Sequence, residues 1–553
     1  MQLTGEQRSF AGGHRTLLAC LLAAAALFFF ANRAAYKGWF SSDDLDKLGW
    51  TTLVGNQTFL NGILTPRISE SNFRAFGYLY YRFLGRTFGL RFTPYVAVLQ
   101  AFHVVNLVLL FFLLRRLDFP ELAAGAATLF YAFHAALIDA YWQPQYIFEV
   151  LASILCLTTL LLYLRGHWIV GLIPFWLAYK SKEIVVTLPA AMLAFEWFLG
   201  KRQWRRLIPY FLISLNFGLQ ALWQNESVPD ASGYALRFTP HLLWTTIAYY
   251  AAAVFFVPFA GFALLLLPVF VRDRRVYVGI IFMVCLFIPM FVLPGRLERV
   301  YWYIPMIGLS IAVAAIASRT PAWAIALFFV LWLPVNYVVL REKRHALLAT
   351  GDAHRWYTTA LIEYAHHVPK LKAVVYQSIP PYVGYWGIEG AIHHAFGFDV
   401  DTAWYGNGPE ARKALSEVPM AIVGYYPNER IVKGLLRTRD ELSSYIRFTD
   451  EIPIYQFGDG WTHNWGVNTH IASQADVTLL RPQESTQFEV VARGPAKYTV
   501  FENDESLGTR ILTGSGVQSL HWDLPKSNPG NKTVTICTEP SGPAIQAIGY
   551  IQL

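Results

Sequence analysis

Three short charged clusters interrupt a largely apolar chain: Ser41-Ser42-Asp43-Asp44-Leu45-Asp46, Lys180-Ser181-Lys182-Glu183 and Arg296-Leu297-Glu298-Arg299. Adjacent carboxylates such as Asp43 and Asp44 have three uses. One can take a proton from an acceptor hydroxyl as a general base. The pair can hold a divalent cation through its oxygens. It can also be no more than the solvated end of a helix. Lys180, Lys182, Arg296 and Arg299 carry the opposite charge and suit a phosphate or pyrophosphate group. Tyr301, Trp302 and Tyr303 beside them could flank a prenyl chain or a sugar. The alternative for the cations is structural: Lys180 and Lys182 snorkel towards water, and Glu298 pairs with a neighbouring arginine. His103 and Asn106 share one face of an apolar helix, where such side chains hydrogen-bond between helices; His134 is assigned the same structural role. No HExxH, CxxC, GxSxG, Walker A or dinucleotide fingerprint occurs, so zinc hydrolysis and nucleotide-driven pumping have no motif here.

The composition says what must position these clusters. Of 553 residues, 55% are hydrophobic, 16% aromatic and only 15% charged, and the mean hydropathy is +0.35. Soluble domains carry about a quarter charged residues. The deficit excludes a disordered chain and an ordinary cytosolic enzyme, and predicts an α-helical polytopic membrane protein. Apolar stretches of about 20 residues, enough to cross a bilayer, recur at 15–36, 95–114, 120–138, 146–164, 168–180, 184–200, 207–223, 242–271, 276–294, 300–318 and 321–340. The expectation is about eleven transmembrane helices, the fifth stretch being short and the eighth long. Arg8 and Arg15 before the first stretch also fit a signal peptide, but its long core and the many later spans favour an uncleaved helix.

Charge orients the bundle. Residues 1–340 hold 26 Lys+Arg against 15 Asp+Glu, a balance of +11; residues 341–553 hold 19 against 22, a balance of −3; together they give the whole-chain +8. The basic excess therefore lies in the apolar half and reads as membrane-orienting charge, not as a nucleic-acid surface. With the N-terminus in the cytoplasm, the inside loops carry Arg115-Arg116, Arg165, Lys201-Arg202 with Arg205-Arg206, Arg272 with Arg274-Arg275, and Arg319. All are short and basic, as the positive-inside rule requires. The three charged clusters then share the outer side and predict one outward-facing polar cavity. A multi-pass plasma (inner) membrane protein with an extracytoplasmic C-terminal region follows.

Three regions are expected: a membrane domain at 1–340 with its first outer loop at 37–94, an outer helical and α/β region at 341–465, and a small β-sandwich at 466–553. Within the first loop, Phe73–Phe88 carries Arg74, Arg82 and Arg86 among aromatics and reads as an interfacial amphipathic helix or a plain connector. Ala373–Gln377 and Met420–Tyr425 read as buried strands flanking a helix near Ile388–Phe396, and alternating runs after about residue 470 read as sandwich strands. Trp461, Trp465 and Trp522 could stack on sugars or fill a core. Of four cysteines, Cys20, Cys156 and Cys285 lie in apolar runs and Cys537 stands alone in the C-terminal region, so no disulfide forms within that region. Asn56, Asn225 and Asn531 begin N-glycosylation sequons, which are empty matches in a bacterium.

Taken in order, the acidic pair, Phe102-His103-Val104-Val105-Asn106, Ser181-Lys182-Glu183 through Thr187-Leu188-Pro189, and Leu297-Glu298-Arg299-Val300-Tyr301 through Pro305 form a pattern. It resembles the GT-C class of integral-membrane glycosyltransferases. It is most similar to the protein O-mannosyltransferase-like branch that includes the tetratricopeptide-bearing transmembrane mannosyltransferases. The resemblance covers about residues 37–310. It implies a polyprenyl-phosphate-linked sugar as donor and a catalytic first outer loop. By matching position, Asp43 or Asp44 would be catalytic, and Lys182, Glu183, Glu298, Arg299 and Tyr301 would lie at the donor site. Arg74 matches a family arginine more weakly, and Lys180 and Arg296 join the set by charge. The chain departs from the pattern at Val300, around His134–Gln145, and in lacking any tetratricopeptide repeat, which leaves the acceptor open: a glycan, a lipid or a protein. The expected reaction is an inverting displacement without a nucleotide; a divalent metal is optional. Two alternatives stand beside it. One is a non-catalytic transporter or scaffold whose outer domain binds carbohydrate or a partner. The other is a polymerase or ligase of lipid-linked polysaccharide.

Overall fold

The computed structural model describes residues 22–67, 73–225, 233–405, 408–438, 442–448, 454–464, 468–526 and 528–552. Arg8, Arg15, Cys20, Trp465 and two residues of the Asn225 sequon lie outside them. The chain divides into two compact units, Met1–Arg355 and Trp356–Leu553. The division falls fifteen residues after the end of the last apolar stretch, because one helix, Ala322–Ala365, joins that stretch to the charged helical segment after it.

The first unit is helical. Among the described residues, four helices are long and apolar enough to cross a membrane: Phe92–Arg116, Pro144–Leu164, Arg274–Phe291 and Ala322–Ala365. Two bent pairs, Glu121–Phe133 with Ala135–Trp142 (52°) and Pro240–Phe255 with Ala260–Phe270 (90°), raise the number to six if each is one span. The other apolar stretches form shorter helices, Leu22–Ala31, Leu172–Tyr179, Leu188–Phe198, Ile208–Gln224 and Met306–Ala317. A helix rises about 1.5 Å per residue, so most of these fall short of a full crossing. The bends have local causes. At the first, His134 leaves helical geometry and Asn336 supplies the missing partners: its Oδ1 accepts from Ala135 N at 2.8 Å and its Nδ2 donates to Phe133 O at 2.6 Å. At the second, Phe256 and Phe259 take left-handed conformations on either side of Val257-Pro258.

The loops sort to two ends. At one, Arg275 bonds Asp273 and reaches Asp118 O, Arg319 bonds Asp273, and Arg115 bonds Phe119 O. Phe198 stacks on Tyr277 there, and Tyr163 donates to Glu196. The basic loops assigned to one side by charge are thus grouped in space. The other ends of the same helices carry the acid-bearing segments.

Helices Arg274–Phe291 and Met306–Ala317 meet through glycine. A Cβ on Gly308 would lie 2.4 Å from Met283 N, and one on Gly279 would lie 2.7 Å from Gly308 O. Small residues let helix backbones approach this closely, and packing of this kind drives association where no water is displaced. The contact fixes the start of Met306–Ala317, and so the Glu298–Tyr303 segment before it.

The second unit is one body with two sheet systems. Strands β1 (Ala373–Tyr376), β2 (Asp401–Trp404), β3 (Met420–Tyr426) and β4 (Ile431–Arg437) form a sheet in the order β2-β1-β3-β4, parallel except for β4. Helices Tyr385–Phe396 and Gly408–Ser416 make the crossovers. The sandwich follows. Its strands are β5 (Tyr445–Arg447), β6 (Trp461–Asn464), β7 (Asn468–Ile471), β8 (Gln474–Arg481), β9 (Gln487–Arg493), β10 (Ala496–Glu502), β11 (Glu505–Leu512), β12 (Val517–Asp523), β13 (Gly530–Glu539) and β14 (Ala544–Ile551). One sheet runs β11-β10-β13-β8 and the other β12-β9-β14-β7-β6, with β5 on β14. β5 places the sandwich's first strand before residue 466. A single buried cluster joins Val375 and Ile422 to Val477, Tyr498, Phe488 and Ile548, so the α/β part and the sandwich share a core. Trp522 is fully buried there and offers no stacking face, while Trp461 is half-buried and packs on Phe448 and Phe457. Cys156, Cys285 and Cys537 are free thiols.

Gly308→Val should cost about 1–3 kcal/mol through overpacking, read as a lower unfolding temperature of the detergent-solubilised chain. Gly125→Ala, at a helical position with open space around it, should leave that temperature unchanged or slightly higher.

Candidate active site

The acid pair opens the helix Ser42–Leu53, and the structure sorts its two members. Asp44 is the third helical residue and closes a capping box: its Oδ2 accepts from Ser41 N and lies 2.8 Å from Ser41 Oγ, while Ser41 Oγ accepts from Asp44 N. Its Oδ1 accepts from the Tyr81 hydroxyl at 2.6 Å, and the residue is fully buried. Burial raises its pKa above the ordinary carboxylate value, opposed by Lys47 and by these hydrogen bonds. Asp43 faces outward, with 44% of its side chain exposed, and pairs with Lys47 Nζ at 3.0 Å. Burial disfavours the Lys47 charge, but Asp43, Tyr78 and Asp44 outweigh it and hold the pKa above the usual lysine value.

The helix Ala75–Phe88 clamps the other end of the acid-pair helix. Arg82 donates to Thr51 O, Val54 O and Asn56 Oδ1, and Arg86 donates to Thr52 O. Acid at the first turn and arginine at the last complement the helix dipole. Arg82 is therefore turned inward, and this segment works as a packed connector in the first unit.

Arg74 precedes that helix and grips Glu183, with Nε 2.8 and 3.1 Å from the two carboxylate oxygens. Burial acts to raise the Glu183 pKa, but the Arg74 guanidinium outweighs it and holds it below the ordinary value. Lys182 turns the other way and pairs with Glu149 at 2.6 Å, both side chains nearly buried. Burial lowers the Lys182 pKa, with Glu149 opposing. Its Nζ also lies 5.3 Å from the centre of the Tyr301 ring. Arg296 approaches Glu298 at 3.6 Å, and Tyr146 donates to Glu298 at 3.0 Å. Arg299 is exposed beside the Phe256 ring.

One segment that no motif marks touches the acid-pair helix, the 180–183 turn and the Glu298 segment. Between Gln145 and Glu149, Gln145 meets Ser41, Tyr146 meets Glu298, the Phe148 ring carries both Lys47 (5.3 Å) and Arg74 (5.5 Å), and Glu149 meets Lys182. Gly77 is required at this crossing, because a Cβ there would lie 2.3 Å from the Phe148 ring. Just upstream, Asp139 pairs with Lys343 at 3.2 Å. The available signal was two acids, Asp139 and Glu149, in a run otherwise apolar enough to be a span.

Three of the expected site residues lie apart from this network. Lys180 donates to Arg67 O and sits between the rings of Trp176 and Phe217. His103 and Asn106 are buried on Tyr303, at 2.7 and 3.2 Å, and Asn106 also donates to Val150 O. They bind the end of the Glu298–Tyr303 segment to two long helices. His134 likewise bonds Val254 O. Among the described residues no three His, Cys, Asp or Glu side chains are grouped as a metal ion would need.

The Arg74–Glu183 pair gives a pH dependence. A carboxylate held below its unfolded value contributes stability above about pH 4.3, and that contribution is lost as pH falls through the folded value. The unfolding temperature of the native chain should therefore fall more steeply between about pH 5 and 3 than that of Glu183→Gln. Parallel curves would remove the pair from the acid response.

No family model, no curated protein and no solved structure matches this chain, so the site rests on its own geometry.

Proposed function

We propose that the chain is a membrane glycosyltransferase of GT-C type that moves a sugar from a polyprenyl phosphate to an acceptor hydroxyl. The observation that carries this is the division of labour in the acid pair: Asp44 is consumed by helix capping, while Asp43 stays accessible beside a buried ammonium. In the proposed reaction Asp43 takes the proton of the acceptor hydroxyl as that oxygen bonds to the anomeric carbon from the face opposite the phosphate. The bond from that carbon to the phosphate oxygen breaks, and its electron pair leaves with the polyprenyl phosphate. Fixed cations that meet the developing charge lower the barrier. Arg299 is the most exposed of the candidates, and Arg296 and Arg74 hold part-exposed carboxylates that an incoming phosphate can displace. Lys182 and Glu149, both buried, serve as the frame. The grouping of the basic loops at the opposite end supports a cytoplasmic N-terminus and an outward-facing site in the plasma membrane. The acceptor is a glycan, lipid or protein hydroxyl.

One observation favours a second reading. Lys47, Arg74, Lys182 and Arg296 each face a carboxylate, so the network is also what a non-catalytic membrane scaffold would need to hold loops at a membrane boundary.

Transfer of labelled sugar from a panel of polyprenyl-phosphate sugars separates the two. Asp43→Asn should lower transfer about 10²–10⁴-fold, the contribution of a general base, with folding intact. Asp44→Asn should instead lose about 1–3 kcal/mol of stability, its transfer falling with the folded fraction. Equal transfer in all three would remove the acid pair from the mechanism. No transfer and no binding with any donor would favour the scaffold.

A further inference from the structure

The parallel sheet of the second unit has the order β2-β1-β3, with chain order β1, β2, β3. The first crossover helix, Tyr385–Phe396, and the second, Gly408–Ser416, cover opposite faces: Ala411, Ala414 and Leu415 join the cluster with Val375, Ala403 and Ile422, whereas Tyr376 and Trp404 alternate to the other face. Right-handed crossovers running in opposite directions leave a crevice beyond the carboxyl ends of the strands, where open α/β sheets bind ligands.

The residues at that end are unlike the rest of the unit's surface. The segment after β1, residues 377–384, carries Tyr382, which is 76% exposed. Tyr385 and Trp386 open the first crossover helix at 61% and 40% exposure, their rings 4.9 Å apart and edge to face. Trp404 ends β2 beside Tyr376 in register and is 43% exposed. Tyr376 is buried beneath them, and burial pushes its hydroxyl up to about 12, with Glu389, Glu410 and Tyr385 acting in the same direction. Glu410 lies in the first turn of the second crossover helix, and Glu389 is the fifth residue of the first. No lysine or arginine lies in 377–389 or 401–405.

We propose that this carboxyl edge, formed by Tyr382, Tyr385, Trp386 and Trp404 with Glu389 and Glu410, is a carbohydrate-binding site. Pyranose rings present a face of C–H groups that packs on aromatic rings and a rim of hydroxyls that donate to carboxylates; the edge supplies both. The aromatic segments carry no cation of their own, and Lys433, in register with Gly424 at the end of β3, is already held by Glu429 at 3.1 Å, which argues against a phosphate, sulfate or acidic polymer as ligand. The carboxylates argue against a bilayer surface, where basic side chains would be expected. As the seat of an acceptor glycan the edge rests on the transferase proposal; as a sugar-binding site it stands without it.

The test is saturation-transfer NMR on the full chain in lipid nanodiscs, since maltoside or glucoside detergents would compete. The probes are di- to tetrasaccharides of glucose, mannose, galactose and N-acetylglucosamine, with no donor present. At least one should receive saturation at its ring protons. Trp404→Ala and Tyr385→Ala should each weaken that binding about tenfold or more, with unfolding temperatures like the native chain's. Asp43→Asn should bind sugar normally, which keeps this result separate from any failure of transfer. No binding across the panel, or binding unchanged in both variants, would overturn the proposal. Should a variant misfold, Glu389→Gln provides the third substitution, and unchanged affinity in it would count against the site in the same way.

Discussion

A carboxylate and an ammonium 2.6 Å apart, almost sealed from water, hold the polar end of the helical unit together. Lys182 and Glu149 come from segments that the chain separates by a helix and a loop, and neither charge is tolerable there alone. Removing one partner of such a pair leaves an uncompensated buried charge, at about 3–5 kcal/mol. The pair therefore fixes where the 180–183 turn meets the start of the Pro144–Leu164 span. Arg74 reaches the same turn through Glu183, and Tyr301 lies over the Lys182 ammonium. Three loops distant in sequence are placed by one ion pair and its immediate neighbours.

The acid-pair helix is positioned by a different device. Ser41 and Asp44 close its first turn, and Arg82 and Arg86 bind the carbonyls of its last. A twelve-residue helix is marginal by itself, so these end contacts decide whether it forms. Capping consumes Asp44 and points its neighbour outward, because consecutive helical residues diverge by about 100°. Accessibility of Asp43 is thus a consequence of how the helix is stabilised.

Much of this was legible in the sequence, and the limits are physical. Among the described residues every apolar stretch contains a helix, since hydropathy reports burial from water directly. Their lengths were not legible, because an average over about 20 residues passes over a break. His134 bends one stretch only because Asn336, some two hundred positions away, satisfies the freed backbone groups. The clusters at 43–46, 180–183 and 296–299 stood out as charge in apolar surroundings. Their partners did not: Glu149, Tyr146 and Phe148 lie in what reads as an ordinary span, and Lys180 differs from Lys182 only in the direction its side chain takes. In the second unit β9, β10 and β13 announced themselves by alternation, and β1 and β3 by short continuous apolar runs. Trp522 proved to be interior and Trp461 half-buried against the same core, whereas Trp404 and Tyr385 are exposed because they fall at strand and helix ends.

The fold buries Asp44 in the cap of its own helix and leaves Asp43 accessible, and carboxylate labelling of the native chain addresses this most directly. A water-soluble carbodiimide with an amine, followed by peptide mass spectrometry, reads the accessibility of each acid. Asp43 should be modified under conditions that leave Asp44 and Glu149 untouched. Modification of Asp44 as fast as Asp43 in the folded protein would contradict the capping assignment, and with it the choice of base.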